Sequence, residues 1–177
     1  MSPFDRAFEE LRRLSKISCW HVEEYESSMM WQAYAEDGKG LAIKTDLNRF
    51  LKACSPFFVK GGKQPETLVY GRVEYRNLLE ERLSANMAER FFYKDRMFSS
   101  EKEFRFLISL RMAEEFGVDV PEKGILIDFD LKQLIQDIYV GPKMSDVERE
   151  VIIDKIRALG FGGVVKKSMM LGTPRYV

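Results

Sequence analysis

Residues 103–111 constrain the fold of this chain more than any other stretch of its sequence. Large apolar side chains recur there at every second position, at Phe104, Phe106, Ile108 and Leu110. Successive side chains of a β-strand point to opposite faces of a sheet, so this spacing is typical of a strand with one face against a core. We therefore predict that residues 103–111 form a core strand and that a β-sheet organises the fold.

The same kind of periodicity predicts the remaining elements. Further strands are expected at residues 17–21, 40–45, 67–75, 124–129, 137–140 and 163–167. Helices are expected at residues 4–14, from the capping residues 24–28 to about residue 35, after the cap Asp46, at 77–94, at 131–135, and at 145–159 behind a Ser145–Glu148 capping box. Strands and helices do not alternate strictly, so we predict the α+β class, with a mixed, mostly antiparallel sheet and flanking helices.

Length and composition favour a single compact domain over residues 1–177. We divide it into an N-terminal amphipathic helix at 1–15 and an α+β region at 17–177. The chain has 28 basic residues (Lys and Arg) and 28 acidic residues (Asp and Glu). Its net charge is therefore zero, which gives no general attraction to nucleic acid or anionic lipid. No apolar run reaches the roughly 18 residues of a membrane-spanning helix. We expect a cytoplasmic protein without a membrane partner, in which Cys19 and Cys54 are reduced thiols.

If the predicted strand extends back to residue 101, Glu101, Glu103 and Arg105 lie on its polar face. Side chains two positions apart in a strand share a face at a spacing of roughly 6.5–7 Å, so these charges would project together. A carboxylate between another carboxylate and a cation has a shifted pKa, and such groups serve in acid–base or ion-stabilising sites. A solvated strand edge or a ladder of structural salt bridges explains the same pattern, so both interpretations stay open.

A second polar set lies on the helix expected before residue 35. Glu26, Met30 and Tyr34 are spaced four residues apart and would share one helical face. The chain's single histidine, His21, lies just upstream, and a lone histidine has either a structural or a catalytic role. The polar ends of Glu26 and Tyr34 need partners if buried, so we predict that His21, Tyr34 and Glu103 point into one common pocket.

Several short motifs resemble a known family. They are Ser18-Cys19-Trp20-His21, Tyr25-Glu26-Ser27, Met30-Trp31, Tyr34, Gly40-Leu41-Ala42-Ile43, Glu101-Lys102-Glu103-Phe104-Arg105 and residues 124–135. Together they resemble the domain of unknown function 2971 family, a bacterial family of uncharacterised activity, from residue 18 to the C-terminus. Longer members of that family have additional strands before the Cys-Trp-His segment. The resemblance therefore implies that a site completed by those strands is incomplete here.

An analogy across families supplies the leading functional hypothesis. A strand His, a helix Tyr and a late Glu-x-Glu pair are the residue types of ADP-ribosyltransferases, in which His and Tyr position the nicotinamide nucleotide and the second glutamate polarises the ribose or the acceptor. We therefore expect NAD-using, ADP-ribosyltransferase-like transfer to a protein or nucleic-acid acceptor. The expected catalytic residues are Glu103, Glu101, His21 and Tyr34, and the expected substrate-binding residues are Trp20, Glu26, Trp31, Lys44 and Arg105.

Two other functions fit the sequence, and it stays open whether the chain is an enzyme. One is a non-catalytic nucleotide- or protein-binding module of a bacterial toxin or defence system, in which the aromatic run at residues 91–93 stacks on bases or fills a partner's groove. The other is a Mg²⁺-dependent nuclease using Asp128, Asp130 and Lys132, although Asp130 also suits the N-cap of the turn at 131–135. No Cys/His metal-ligand spacing is evident, so no metal site is predicted.

Three further expectations concern single residues. Trp20, Trp31 and Phe104 are expected to be substantially buried, since each lies on an apolar face. Cys19 and Cys54 are expected to be unbonded to each other and without a catalytic role. Replacing Glu103 by Gln keeps the shape of the side chain and removes its charge, so it is expected to abolish activity with little change in melting temperature.

Overall fold

The computed structural model describes residues 3–36, 38–83 and 88–170. The chain divides into two compact units, each assembled from two stretches of sequence. The first unit contains the described residues of Met1–Val22 and Pro56–Ile127, and the second contains those of Glu23–Ser55 and Asp128–Val177. The single domain expected over residues 1–177 stays a prediction.

The described residues contain six α-helices and eight strands, which confirms the α+β class. In chain order they are α1 (Pro3–Leu14), β1 (Ser15–His21), α2 (Ser28–Tyr34), β2 (Leu41–Lys44), α3 (Leu47–Ala53), β3 (Leu68–Arg72), β4 (Glu74–Arg76), β5 (Tyr93–Asp95), β6 (Glu103–Ser109), α4 (Arg111–Glu115), α5 (Leu131–Leu134), β7 (Asp137–Val140), α6 (Asp146–Ala158) and β8 (Val165–Lys167). Short 3₁₀ helices cover Glu89–Phe92, Arg96–Glu101 and Gly162–Val164. None of these helices has the length and hydrophobicity that crossing a bilayer requires.

The first unit is built on an antiparallel sheet in the order β1-β6-β3. The predicted core strand, β6, is its central strand, but it ends at Ser109, and α4 begins two residues later. The expected apolar row is confirmed at Phe106, Ile108 and Leu110, which are 6%, 3% and 0% exposed. Ile108 and Leu110 pack in a buried cluster with Leu14, Val59 and Ala113. The core of this unit therefore lies at the Ile108 end of the sheet.

The helix predicted at residues 4–14 is α1. Two members of its apolar stripe, Leu11 and Leu14, are buried, as the spacing predicts. The side chain of Phe4, which belongs to the same stripe, lies outside the described side chains. The strand predicted at residues 17–21 is also confirmed, since β1 includes all of those residues.

The strand predicted at residues 67–75 is divided at Val73. Before the break, β3 pairs antiparallel with β6, and after it β4 pairs in parallel with β5. Val73 is 7% exposed, and its backbone N–H donates to the carbonyl of Glu103 at 2.9 Å. The apolar–polar alternation continues through Val73, so the change of pairing partner leaves no mark in the pattern.

The helix predicted at residues 77–94 is wrong. Residues 77–83 form a turn, the 3₁₀ helix Glu89–Phe92 follows, and Tyr93–Asp95 is strand β5, while residues 84–87 lie outside the described part of the chain. The turn satisfies its polar groups locally, because Asn77 Oδ1 accepts from the backbone N–H of Leu79 at 3.2 Å. A segment rich in charge has no apolar stripe to bury, which removes the main support of a helix in a protein.

The second unit contains a mixed sheet in the order β2-β7-β8. β2 and β7 are antiparallel, whereas β7 and β8 are parallel and are joined through α6, as parallel neighbours require a crossover. Its interior includes Ile138 and Val140 of β7 and Ile153 and Ile156 of α6, all buried. The strands of the described residues therefore divide among separate sheets, and among these sheets only β2-β7-β8 combines both pairing directions.

The predicted caps of this unit are confirmed. Asp46 and Asp130 accept backbone N–H groups at the starts of α3 and α5. Ser145 and Glu148 form the reciprocal capping box of α6, and the chain turns at Gly160 with a φ of +87°. These local polar motifs specify helix starts because their hydrogen bonds join residues only two or three positions apart.

Two late strand predictions need correction. Residues 124–129 form no strand: Ile125 and Ile127 pack against the core of the first unit from an irregular segment, and Phe129 makes only an isolated bridge to Cys54 in the second. The strand predicted at 163–167 is shortened to β8 by the 3₁₀ helix Gly162–Val164. Ile125 and Ile127 thus pack inward without the strand partners that a β-sheet supplies.

The expected burial of three aromatic residues is confirmed in part. Trp31 is 6% exposed, whereas Trp20 and Phe104 are only partly buried. Both lie toward the end of the β1-β6-β3 sheet that is remote from the Ile108 cluster, which explains their greater exposure. Cys19 and Cys54 are both free thiols.

Candidate functional site

Glu103 is the centre of a group of charged side chains in the first unit. It opens β6 directly opposite His21 of β1, and residues paired in this way project from the same face of a sheet. The sequence left open whether this charged row is solvated or paired, and Glu103 is only 7% exposed. We name His21, Lys94, Glu101, Glu103 and Arg105 the Glu103 cluster.

Both carboxylate oxygens of Glu103 accept hydrogen bonds from cations. Lys94 Nζ lies 2.6 Å from Oε1, and Arg105 Nε lies 2.7 Å from Oε2. The backbone N–H of Glu103 donates to the hydroxyl of Tyr75 at 2.7 Å. The carboxylate and the backbone of one residue are thus held by three different parts of the unit: β4, β5 and β6 itself.

Strand periodicity does not explain how Glu101 comes to lie in the cluster. It was expected to share the face of a continuous strand with Glu103, but it ends the 3₁₀ helix Arg96–Glu101, and Lys102 follows with a left-handed φ of 43°. Its Oε2 accepts from Lys94 Nζ at 2.7 Å. Lys94 therefore bridges two carboxylates, and the four charged side chains of the cluster carry two positive and two negative charges.

Arg105, the second cation of the cluster, has a hydrogen-bond partner in addition to Glu103. Arg105 Nη1 donates to the carbonyl of Phe91 at 2.6 Å, and the Arg105 side chain is 14% exposed. Phe92 lies against the neighbouring strand, where a Cβ on Gly71 would meet its ring at 3.6 Å. The segment before β5 thus covers the charged face of the sheet, and Phe91, Phe92 and Tyr93, considered above for base stacking, are all partly buried.

The histidine of the cluster has a defined tautomer. Its Nδ1 lies 2.6 Å from the backbone carbonyl oxygen of Glu101. A carbonyl only accepts hydrogen bonds, so Nδ1 carries the proton, and in the neutral ring Nε2 is an acceptor. Nε2 is buried and has no hydrogen-bond partner among the described residues. His21 therefore has an unused acceptor beside an ionised carboxylate.

The hydrogen bonds and charges within the cluster keep Glu103 and Lys94 in their ionised forms. Burial alone raises the pKa of Glu103, but hydrogen bonds from Arg105 and Lys94, with their positive charges, lower the pKa by more, from its ordinary value of 4.5 to about 2. Burial lowers the pKa of Lys94, and the hydrogen bonds that it donates to Glu101 and Glu103 raise the pKa by more. Glu103 is therefore ionised at every physiological pH, which suits charge stabilisation and excludes proton transfer near neutrality.

Cys19 lies beside the cluster, since it pairs with Arg105 across β1 and β6. Burial of its thiol and the negative charge of Glu103 raise the pKa of Cys19. The protonated thiol is a poor nucleophile, because the thiolate is the reactive species. The expectation that Cys19 has no catalytic role stays a prediction.

The predicted site residues are distributed over both units. His21, Glu101, Glu103 and Arg105 come together in the first, whereas Trp20 projects from the opposite face of the same sheet, because it alternates with His21. The remaining predicted residues, Glu26, Trp31, Tyr34 and Lys44, belong to the second unit. The common pocket of His21, Tyr34 and Glu103 stays a prediction.

The residues of the second unit have local partners. Glu26 precedes α2 instead of lying on it, and it accepts from Trp31 Nε1 and from the backbone N–H of Met169, both at 3.0 Å. Tyr34 is 66% exposed, and Lys44 Nζ donates to the carbonyl of Glu24 at 3.4 Å. The partner that a buried Glu26 was expected to need is therefore supplied within its own unit.

Sequence reasoning missed two members of the site, Lys94 and Tyr75. Lys94 was assigned to a polar helix, and Tyr75 to the end of a longer strand. The short Tyr93-Lys94-Asp95 alternation is the only local sign of a strand, and it is too brief to outweigh its charged surroundings. Their roles follow from the parallel pairing of β4 with β5, which places Tyr75 opposite Lys94.

One of the residues considered for a nuclease, Asp130, has a structural role. Asp130 Oδ1 accepts from the backbone N–H groups of Lys132 and Gln133 at 3.0 and 3.3 Å, so the expected N-cap is confirmed. Throughout residues 3–36, 38–83 and 88–170, no group of three or more His, Cys, Asp or Glu side chains is placed to hold a metal ion.

Comparison with known proteins confirms the family resemblance over part of the chain. Residues 30–106 match the family model described as "Protein of unknown function (DUF2971)". The matched segment includes Met30-Trp31, Tyr34 and the Glu101–Arg105 block, but it excludes the Cys-Trp-His motif and residues 124–135. No curated protein and no solved structure matched the sequence.

Proposed function

We propose that the Glu103 cluster is a binding site for the ribose of NAD, and that the domain is an NAD-using transferase of the ADP-ribosyltransferase-like kind. The unused acceptor of His21 Nε2 carries this proposal. An unsatisfied buried acceptor costs about 1–3 kcal/mol, and a ligand hydroxyl that reaches it removes that cost. Because Nε2 is buried, binding in this way requires a local opening of the cluster. A ribose hydroxyl is a donor of the required kind.

The ionised carboxylate supplies the second part of the argument. Cleavage of a bond between a ribose carbon and its leaving group moves positive charge onto the sugar, and a fixed carboxylate stabilises that charge. Glu103 keeps its charge down to a pH of about 2. Each carboxylate oxygen accepts more than one hydrogen bond, so the contacts to Lys94 and Arg105 leave capacity for a sugar hydroxyl. In this role Glu103 acts electrostatically, and another group receives the acceptor's proton.

A second candidate is the non-catalytic binding module. The observation in its favour is the internal charge balance of the cluster, in which two cations already neutralise Glu101 and Glu103. Such a network stabilises one end of the sheet without any ligand. The nuclease has no comparable support, because Asp130 serves as a helix cap.

The two candidates are separated by measuring binding and chemistry on the same samples. Purified chain is titrated with NAD by calorimetry, and release of nicotinamide is followed by chromatography. The variants are His21→Ala and Glu103→Gln, and the control is the exposed Glu122→Gln. Circular dichroism establishes that each variant is folded at the assay temperature.

The transferase predicts that the wild type and Glu122→Gln bind NAD and release nicotinamide, that His21→Ala loses binding, and that Glu103→Gln binds but releases none. Binding of equal strength by wild type and Glu103→Gln, with no nicotinamide from either, identifies the binding module. Absence of binding at millimolar NAD overturns both candidates at this site.

A further inference from the structure

The second face of the β1-β6-β3 sheet has an aromatic surface that the proposed NAD site does not use. In the strand register, Trp20, Phe104 and Arg72 form one row across the three strands, and Ser18, Phe106 and Tyr70 form the next. His21 and Glu103 alternate with these residues and project from the other face. We name Trp20, Tyr70, Arg72 and Phe104 the aromatic face.

The rings of this surface are mutually packed. Tyr70 and Phe104 are stacked with centroids 6.1 Å apart and an interplanar angle of 27°, and Phe104 lies 5.3 Å from Phe106. The indole N–H of Trp20 donates to Ser18 Oγ of its own strand at 3.1 Å, so it is satisfied without a ligand. The rings are therefore held in place before any partner binds, which lowers the entropy cost of stacking on them.

Exposure on this face increases from the central strand β6 to the edge strand β3. Ile108 and Phe106 are 3% and 6% exposed, whereas Tyr70 is 44% exposed. The buried cluster around Leu14 and Val59 covers the Ile108 end of the sheet. Tyr70 is on the edge strand β3 and is open to solvent. An exposed aromatic side chain supported by packed rings is a ready stacking surface.

The charge on this face identifies the chemistry of its ligand. Arg72 is exposed and forms no hydrogen bond or ion pair with any other residue in the described ranges. It pairs with Phe104 in the register and lies two positions after Tyr70, so its guanidinium borders the stacked rings. Flat rings beside an uncompensated guanidinium complement a nucleobase and its phosphate, which is the combination by which open sheets bind single strands.

We propose that the aromatic face binds single-stranded nucleic acid, with a base stacked on Tyr70 and a backbone phosphate at Arg72. A duplex is excluded from this mode, because its bases are already stacked on each other. The proposal is independent of the NAD site, since the two sets of side chains lie on opposite faces of the sheet.

The test is fluorescence anisotropy with labelled single-stranded RNA and DNA oligonucleotides and with the corresponding duplexes. Tyr70→Ala removes the ring and Tyr70→Phe keeps it, whereas Arg72→Gln removes the charge and Arg72→Lys keeps it. Val69→Ala is the matched control, because Val69 is 38% exposed, adjoins Tyr70 and projects from the opposite face. All these positions are on the surface, and melting curves verify that the variants fold.

We expect the wild type, Tyr70→Phe and Val69→Ala to bind single strands alike. Tyr70→Ala should weaken binding roughly five- to hundred-fold. Arg72→Gln should weaken binding of every sequence and reduce the slope of log affinity against log salt by about 0.7, the value of one single-strand phosphate contact, while Arg72→Lys keeps that slope. No binding by the wild type, equal affinity for duplex, or unchanged affinity of Tyr70→Ala would each overturn the proposal.

Discussion

Lys94 Nζ lies 2.6 Å from Oε1 of Glu103, although the two residues belong to different sheets. Lys94 is in β5, which pairs with β4, and Glu103 is in β6, the centre of the β1-β6-β3 sheet. The ion pair therefore ties the small β4-β5 sheet to the main sheet of its unit. This geometry makes Glu103 a stabilising residue in addition to any role toward a ligand.

Glu103→Gln should lower the free energy of unfolding by about 3 kcal/mol, because it leaves two partly buried cations, Lys94 and Arg105, facing a neutral amide. The sequence alone predicted little change in melting temperature, because Gln keeps the shape of the side chain. Urea unfolding of both proteins measures the difference. Glu74→Gln is the control, since its partner Arg76 and Glu74 itself are 48% and 57% exposed and such surface pairs contribute about 0–1 kcal/mol. Equal losses of unfolding free energy for the two variants would contradict a stabilising role for Glu103.

The stabilisation by Glu103 should disappear in acid. The pKa of Glu103 is lowered on folding from 4.5 to about 2, so its contribution, about 3 kcal/mol, is complete above pH 4.5 and is lost as pH falls toward 2. The unfolding free energies of wild type and Glu103→Gln, measured across that window, should therefore converge. Other carboxylates titrate in both proteins and cancel in the comparison. A difference that stays constant through the window would show that Glu103 is not the titrating group.

Trp31→Ala should destabilise the second unit by about 3–5 kcal/mol, because the ring is buried and its removal leaves a cavity. Trp31→Phe should cost less, since it keeps most of the apolar contact and loses the indole N–H that donates to Glu26. Thermal melts followed by circular dichroism measure both. An unfolding midpoint for Trp31→Ala within error of the wild type would remove this residue from the core.

Gly141→Ala should destabilise the chain by about 1–3 kcal/mol, because a side chain there overpacks its surroundings. The backbone N–H of Gly141 donates to the Gly40 carbonyl at 3.0 Å, and an added Cβ would overlap the carbonyl oxygen of Gly38. Gly163→Ala is the control in the same unit, since a Cβ there meets nothing within 4 Å. Equal melting temperatures for the two variants would indicate that the loop beside β7 adjusts freely.

Local patterns predicted those parts of the fold whose interactions are close in sequence. The caps Asp46, Asp130 and Ser145 hydrogen-bond within three residues, and the alternation through Phe106, Ile108 and Leu110 records one face of one strand. Within the candidate site, the same reasoning brought together Glu103 and Arg105, which are two positions apart on that strand.

The sequence by itself thus determined the α+β class, the central strand, the helix caps and the likeness to an uncharacterised family over residues 30–106. Tertiary structure decided that Glu103 is buried, that Lys94 reaches it from another strand, that β3 and β4 separate at Val73 and that Tyr70 and Arg72 stay open to solvent. Each of these depends on which strand lies beside which. A periodic pattern encodes the direction in which a side chain points, whereas the partner that it meets is set by pairings between distant segments.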